Sequence, residues 1–338
     1  MATIKDVARL AGVGLGTASR VISGKGSVSP ATMARVKKAI EELEFSPSHA
    51  ARALLSGNSQ MIGVYIPVLS GTFYTPILQM IDTELRAANL HMVLSFGVGI
   101  GDERRQAIEG IKFLLDRGCD GLVVMSSALQ EEDINLLGPK QNRLVLLNHN
   151  IAKIADQCFT VDHAHGGMLA AQTLLQYKHR KIAVVTGPAS FLDNRERIGG
   201  FMEELERNRI DTRKLWVAES DFSPLGGWNA ARELVESGHS CTALFCANDE
   251  MAVGALSYFQ EVGIRVPDDL SVIAYDDTPS ADFSAPRLTT VHMPWQEMTQ
   301  SALNDLLNRC YDMKRPVKRK YPVSVTLRAS VAKRAAAK

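Results

Sequence analysis

Residues 3–23, TIKDVARLAGVGLGTASRVIS, decide how the rest of the chain is read. Two short apolar-periodic segments flank a glycine-containing break at Ala11-Gly12-Val13-Gly14. Ile4, Val7, Ala8 and Leu10 are expected on one face of the first segment, and Leu15, Ala18, Val21 and Ile22 on one face of the second. Thr3, three residues ahead of Asp6, has the spacing of a capping box at a helix start. Two short helices joined by a tight glycine turn fit a helix-turn-helix, whose second helix enters the DNA major groove. An ordinary helical hairpin has the same periodicity, so the neighbouring sequence must separate the two readings.

Working outward, Ser29-Pro30 begins a third segment, with Ser29 placed to cap a helix and Pro30 in its first turn. Met33, Val36, Ile40 and Leu43 repeat there at helical spacing and can close a three-helix core. Residues 1–60 carry eight Lys or Arg against four Asp or Glu, whereas the 338-residue chain has a net charge of only +1. A small basic module on a mildly acidic body is the charge distribution of a DNA-reading headpiece. After Phe45-Ser46-Pro47 comes an Ala/Leu stretch too short for a stable isolated helix, then Ser56-Gly57-Asn58-Ser59. This connector is expected to fold only against a partner.

From Met61 the pattern changes to alternating strand-like and helix-like segments. Strands are expected at 61–67, 91–97, 120–125 and 143–148, with helices at 76–89, 104–116 and near 130–137. A second run starts near Cys158, with strands at 181–187, 215–219, 242–247 and 271–277. Its helices are expected at 164–177, 194–208, 225–237 and 249–262. A strand near 289–292, a helix over 295–312 and strands near 321–331 complete the chain. Two such series imply an α/β body of two doubly wound parallel-sheet lobes. Ligands of such sheets bind at the carboxyl ends of the strands, so facing lobes create a binding cleft.

Other classes fit poorly. Apolar content of 46% and charged content of 22% are those of a globular protein, and no apolar run is long enough for an export signal or a membrane span. A cytoplasmic protein is therefore expected, and five scattered cysteines without a CxxC pair suit reduced thiols. Gly97-Val98-Gly99-Ile100-Gly101 follows a strand, but Asp102 takes the last position of a dinucleotide loop, where its charge opposes a pyrophosphate. There is no GxSxG, no P-loop and no HExxH, and His163 and His165 do not share a helix face. No catalytic residue, metal site or cofactor is expected.

The chain resembles the lactose/galactose-repressor family of bacterial transcription regulators through TIKDVARLAGV (3–13), TASRVIS (17–23), SPSHAARAL (46–54), CANDEMAVGAL (246–256), VPDDLSVIAYDD (266–277) and PRLTTV (286–291). Its opening looks nearest to the galactose-repressor branch. The resemblance implies a headpiece over 1–46, a hinge helix and linker over 47–60, and a tail over 335–338. It also implies an N-terminal lobe of 61–161 plus 292–320 and a C-terminal lobe of 162–291 plus 321–334. Leu15 and Gly16 then stand where base edges are touched, and Thr17, Ser19 and Arg20 where phosphates or nearby bases are met. Thr3, Ser27, His49 and Arg52 join this DNA-binding set, and Leu54 matches the leucine that wedges into the minor groove. The chain departs from the family at Gly14, where a capping Ser is common, and at Gly16, inside the recognition helix.

Effector contacts are expected from Phe73, Tyr74, Asn148, Asp193, Arg197, Phe222, Asn248, Asp276 and Trp295. Asp277 and Asp249 are expected to be structural. Purine-responsive relatives carry Arg and Thr within residues 189–193, whereas this chain has Ser190 and Leu192, and Asp193 looks like the polar residue of sugar-responsive relatives. A homodimeric repressor of a pseudo-palindromic DNA operator, controlled by a sugar or sugar derivative, is the expectation. A purine-responsive regulator, one with a protein co-effector and a stand-alone sugar-binding protein are the alternatives.

Overall fold

The computed structural model describes residues 2–23, 27–45, 58–99 and 101–334. Three helices, α1 (Ile4–Ala11), α2 (Leu15–Ser23) and α3 (Pro30–Glu42), close around buried Val7, Ala11, Val36 and Ala39. The Thr3 hydroxyl faces the Asp6 amide while the Asp6 carboxylate accepts from the Thr3 N–H at 3.0 Å, completing the capping box. Gly12 ends α1 at φ 62, a left-handed turn that glycine adopts without a Cβ clash. Ser29 caps α3, and Pro30 stands in its first turn. Leu10 and Leu15 differ from expectation, being about half exposed at 49% and 47%. Leu10 is only two residues from Ala8, hence nearly opposite it on the helix, and Ala11 takes the core place instead. Met33 is likewise exposed, and Val36 and Ala39 are the buried residues of α3.

The first parallel sheet is built from β1 (Met61–Ile66), β2 (His91–Phe96), β3 (Gly121–Val124), β4 (Leu144–Leu147) and β5 (Cys158–Phe159), in the order β2-β1-β3-β4-β5. Helices α4 (Tyr74–Ala87) and α5 (Glu103–Asp116) connect its first three strands. The second lobe opens with α6 (His163–Gln176), β6 (Ile182–Thr186), α7 (Leu192–Arg207), β7 (Trp216–Glu219), α8 (Pro224–Glu236) and β8 (Ala243–Cys246). It continues with α9 (Asp249–Glu261), β9 (Ser271–Asp276), α10 (Pro279–Phe283) and β10 (Thr289–His292). After α11 (Trp295–Tyr311), β11 (Ser324–Thr326) adds an antiparallel edge, giving the order β11-β10-β9-β8-β6-β7.

Three segments depart from the sequence pattern. The expected helix near 130–137 is a 3-10 run, Glu131–Arg143, broken at Gly138 just before Pro139, because a residue preceding proline is pushed out of the helical region. Of residues 321–331, only Ser324–Thr326 pairs as a strand. Cys158, expected to start the second run, belongs to the first sheet, where it pairs with Leu146.

Two packing features position the cleft. Helices α6 and α7 approach backbone to backbone, since a Cβ on Gly167 would lie 1.9 Å from the Arg197 carbonyl oxygen and one on Gly200 as close to that of Ala164. Helix α11 follows a strand of the second sheet but packs on β3, β4 and β5 of the first, so one helix spans the division. At its far end the Tyr311 hydroxyl donates to Asp120 at 2.7 Å, and Asp120 also accepts the N–H groups of Ser59 and Gln60 at 2.9 and 2.8 Å. That buried carboxylate ties the crossover helix to the residues entering β1. No helix of the described residues is long and apolar enough to cross a membrane.

Candidate functional site

A cavity of about 440 Å³ lies between the lobes at the carboxyl ends of their strands. Phe73, Tyr74, Asn148, Asp193, Arg197, Phe222, Asn248, Asp276 and Trp295 all line it. The topology explains the convergence: Tyr74 starts α4 after β1, Asn148 follows β4, Asn248 caps α9 after β8, and Asp276 ends β9. Several of these residues hold left-handed backbone, with Asn148 at φ 59, Phe222 at φ 65 and Asp276 at φ 108. Such conformations cost about 1–3 kcal/mol each and persist where packing imposes them, often around a ligand.

The walls are aromatic. Phe73 meets Trp295 edge to face at 4.6 Å, and Phe191 meets Phe222 in the same manner at 5.6 Å. One polar cluster spans both lobes. The Asn148 amide donates to Asp193 at 3.0 Å and its carbonyl oxygen accepts from His163 Nε2 at 2.8 Å. These roles assign the ring proton to Nε2 and leave Nδ1 facing the Tyr275 hydroxyl at 3.4 Å. Arg197 lies over the Tyr275 ring at 3.8 Å, donates to the Ala247 carbonyl, and faces Asp193 and Asp276 at 3.5 and 3.7 Å. Asp193 Oδ1, Arg197 Nε and the Trp295 indole N–H find no hydrogen-bond partner among the described residues.

Burial sets the protonation states. It pushes the His163 ring down to about 4, with the Arg197 charge adding to the effect, so this histidine is neutral. It raises the Asp276 carboxyl well above the usual carboxylate range, against the opposing pull of Arg197. At the mouth, Thr72 of the first lobe gives its N–H and hydroxyl to Glu250 of the second, and its hydroxyl lies 3.0 Å from that of Ser280.

Asn248 is already engaged: its amide nitrogen donates to the Phe222 carbonyl and its oxygen accepts the Met251 N–H. Asp249 is fully buried and accepts from Thr278 and Thr290, while Asp277 pairs with Arg328 at 2.7 Å. Both acids hold the second lobe together. Ser190 and Leu192 do not line the cavity; Phe191 and Asp193, which alternate with them, do. Phe191, Glu103, Asp221 and Glu250 were not singled out from the sequence. Each follows or ends a strand-to-helix junction, so the rule that ligands sit at strand carboxyl ends had the means to flag them.

In the headpiece, Leu15, Gly16, Arg20 and Ser27 are exposed, and Thr17 and Ser19 are half-buried. The side chain of Thr3 is committed to its capping box. A Cβ added at Gly14 or Gly16 would meet nothing within 4 Å, so neither glycine is required by packing. His49, Arg52 and Leu54 lie outside the described residues.

Comparison with known proteins agrees with this two-part architecture. Residues 3–48 match the model for bacterial regulatory proteins of the lacI family, and residues 171–331 match a periplasmic binding protein-like domain. The chain is 32% identical over 311 residues to the HTH-type transcriptional repressor PurR of Proteus mirabilis (strain HI4320), spanning 91% of this chain and 90% of that protein. A LacI-family transcriptional regulator from Burkhoderia phymatum shares 47% identity with a TM-score of 0.77, over 81% of this chain and 99% of the other. The lac repressor dimer bound to operator and the anti-inducer ONPF superposes with a TM-score of 0.82 at 27% identity, over 98% of this chain and 99% of the other. The chain belongs to the LacI family of DNA-binding transcription regulators, a family without enzymatic activity, and joins a helix-turn-helix headpiece to a periplasmic-binding-protein-like body for an effector.

Proposed function

We propose that the protein is a repressor that binds a pseudo-palindromic operator as a homodimer and is released by a sugar or sugar derivative held between its lobes. The observation that carries the ligand reading is the cross-lobe cluster of Asn148, Asp193, Arg197 and Asp276 beneath aromatic walls. Sugar hydroxyls both donate and accept, so they suit an unpartnered carboxylate oxygen beside an unpartnered guanidinium nitrogen and an indole N–H. Aromatic faces cover the C–H side of the same ring. A purine-responsive regulator is the alternative, because the same rings would also sandwich a base. Asp193, which looks like the polar residue of sugar-responsive relatives, favours the sugar.

Leu15 to Arg20 would read the major groove, with Leu15 offering an apolar contact to a thymine methyl. Thr17, Ser19, Arg20 and Ser27 would meet phosphates or nearby bases, and His49, Arg52 and Leu54 would act in the minor groove. Ligand contacts to both lobes would favour one closure over the other and so bias the spacing of the two headpieces.

The test is selection of operators from random duplex DNA by the full chain, followed by gel-shift titration with sugars and purines. Two symmetry-related half-sites, affinity that falls steeply with salt, and release by a sugar are expected. Enrichment without half-site symmetry would refute the operator reading. Response to a purine alone would replace the sugar, and tighter operator binding on adding a sugar would reverse the sign to co-repression.

A further inference from the structure

We infer that the cleft takes a sugar bearing no phosphate or carboxylate, and discriminates against the phosphorylated form of the same sugar. This rests on the sugar reading above and narrows it. Glu103, Asp193, Asp221, Glu250 and Asp276 line the cavity, and Arg197 is the single Lys, Arg or His side chain among the described lining residues. Arg197 keeps an unpartnered Nε, but its charge is already offset by the Asp193 carboxylate at 3.5 Å, and it donates to the Ala247 carbonyl.

Helix N-termini are the other usual anion sites, because their free N–H groups and dipoles favour negative charge. Of the six helices that begin at cavity-lining residues, α5, α7, α9 and α11 carry a carboxylate in the first turn (Glu103, Asp193, Glu250 and Glu297), whereas α4 and α8 carry none. In those four the capacity for anions is met from within the chain, and Asp221 lies just ahead of α8 in the cavity wall. A phosphate of charge about −1.5 to −2 would enter a site already dominated by carboxylates, at the reduced dielectric of a closed cleft. The Asp193 charge raises the Glu103 carboxyl on top of its burial, so like-charge repulsion is felt within the site even before a ligand arrives.

The site nonetheless points to a ligand. Asp276 is more than nine-tenths buried and lines the cavity, yet its side chain makes no hydrogen bond to a described residue, and its nearest cationic nitrogen is 3.7 Å away. A buried carboxyl without a hydrogen-bond partner suits sugar hydroxyls, which can both donate and accept.

The experiment is calorimetric titration of the full chain with matched pairs: ribose and ribose 5-phosphate, glucose and glucose 6-phosphate, galactose and galactose 6-phosphate, glucosamine and glucosamine 6-phosphate. Within a pair that binds, the phosphorylated member is expected to be at least about 100-fold weaker. A phosphorylated sugar that binds as tightly as its parent overturns this inference and leaves the sugar reading intact. If no member of any pair binds, while a purine base does, the sugar reading fails and this inference falls with it. Glu103 makes no side-chain hydrogen bond or ion pair among the described residues, so Glu103→Lys should fold. It is expected to narrow the gap within a pair by about tenfold; an unchanged gap counts against charge as the cause.

Discussion

His163 orients Asn148 at the lobe boundary while staying neutral. Its Nε2–H holds the carbonyl end of Asn148, which turns the amide end toward Asp193 across the lobe boundary. Burial, reinforced by the Arg197 charge, lowers its folded pKa to about 4 from an ordinary value of 6.5. The stability it contributes is therefore present above about pH 6.5 and is lost as pH falls toward 4, because the unfolded chain binds the proton first. Asp276 and Asp249 are shifted upward by burial and act with the opposite sign, so the total pH profile mixes these contributions. His163→Gln isolates one of them. The stability of wild type relative to this variant, measured by urea unfolding, is expected to fall by about 2 kcal/mol between pH 7 and pH 5. A difference that stays constant over that range would mean that His163 does not titrate as a buried base.

At the scale of elements, α11 joins the cleft to the root of the chain leaving the headpiece. Trp295 at its start lines the cavity, and Tyr311 at its end donates to Asp120. Seventeen helical residues make a rod of about 25 Å, and Asp120 holds the amides of Ser59 and Gln60 at its far end. Asp120→Ala removes an acceptor that serves three donors. It is expected to cost about 3 kcal/mol in urea unfolding and to speed amide hydrogen exchange selectively at residues 59 and 60. Protection that persists at those two amides would show that the strand β1, rather than Asp120, holds them. The role of Asp120 was not visible in the sequence, because the pairing of β1 with β3 sets it beside Ser59 and Gln60, and only the return of α11 to the first sheet adds Tyr311.

At the scale of the whole molecule, the exposed apolar residues suit self-association of the family's kind. Leu69, Phe96 and Val98 are 51%, 51% and 70% exposed beside the Val68–Val98 bridge at one edge of the first lobe, and Phe283 on α10 is 88% exposed in the second. Contiguous exposed apolar side chains mark interaction surfaces, and a two-fold dimer matches a palindromic operator. Phe283→Asp is expected to weaken dimerisation by at least about tenfold in sedimentation equilibrium, with operator affinity falling alongside. An unchanged dimer would place the interface elsewhere.

The sequence by itself determined the local structure and the family. Capping at Thr3 and Ser29, the left-handed turn at Gly12 and the buried runs of β1, β6, β8 and β9 are properties of a few adjacent residues, so their signals survive without the fold. Eight of the nine effector candidates converge on one cavity because each stands at a strand end or a helix start, which the alternation of segments already marks, and Arg197 reaches it from the second turn of α7. Only the tertiary structure decided which of them retain free polar atoms: Asn248 is consumed as a helix cap, whereas Asp276 is not hydrogen-bonded. It also put Phe191, Glu103 and Glu250 in the wall and left Ser190 and Leu192 out of it. The physical reason is that backbone propensity depends on neighbours along the chain, while the charge and hydrogen bonding of a cleft depend on groups 45 to 178 residues apart that meet only when two lobes close.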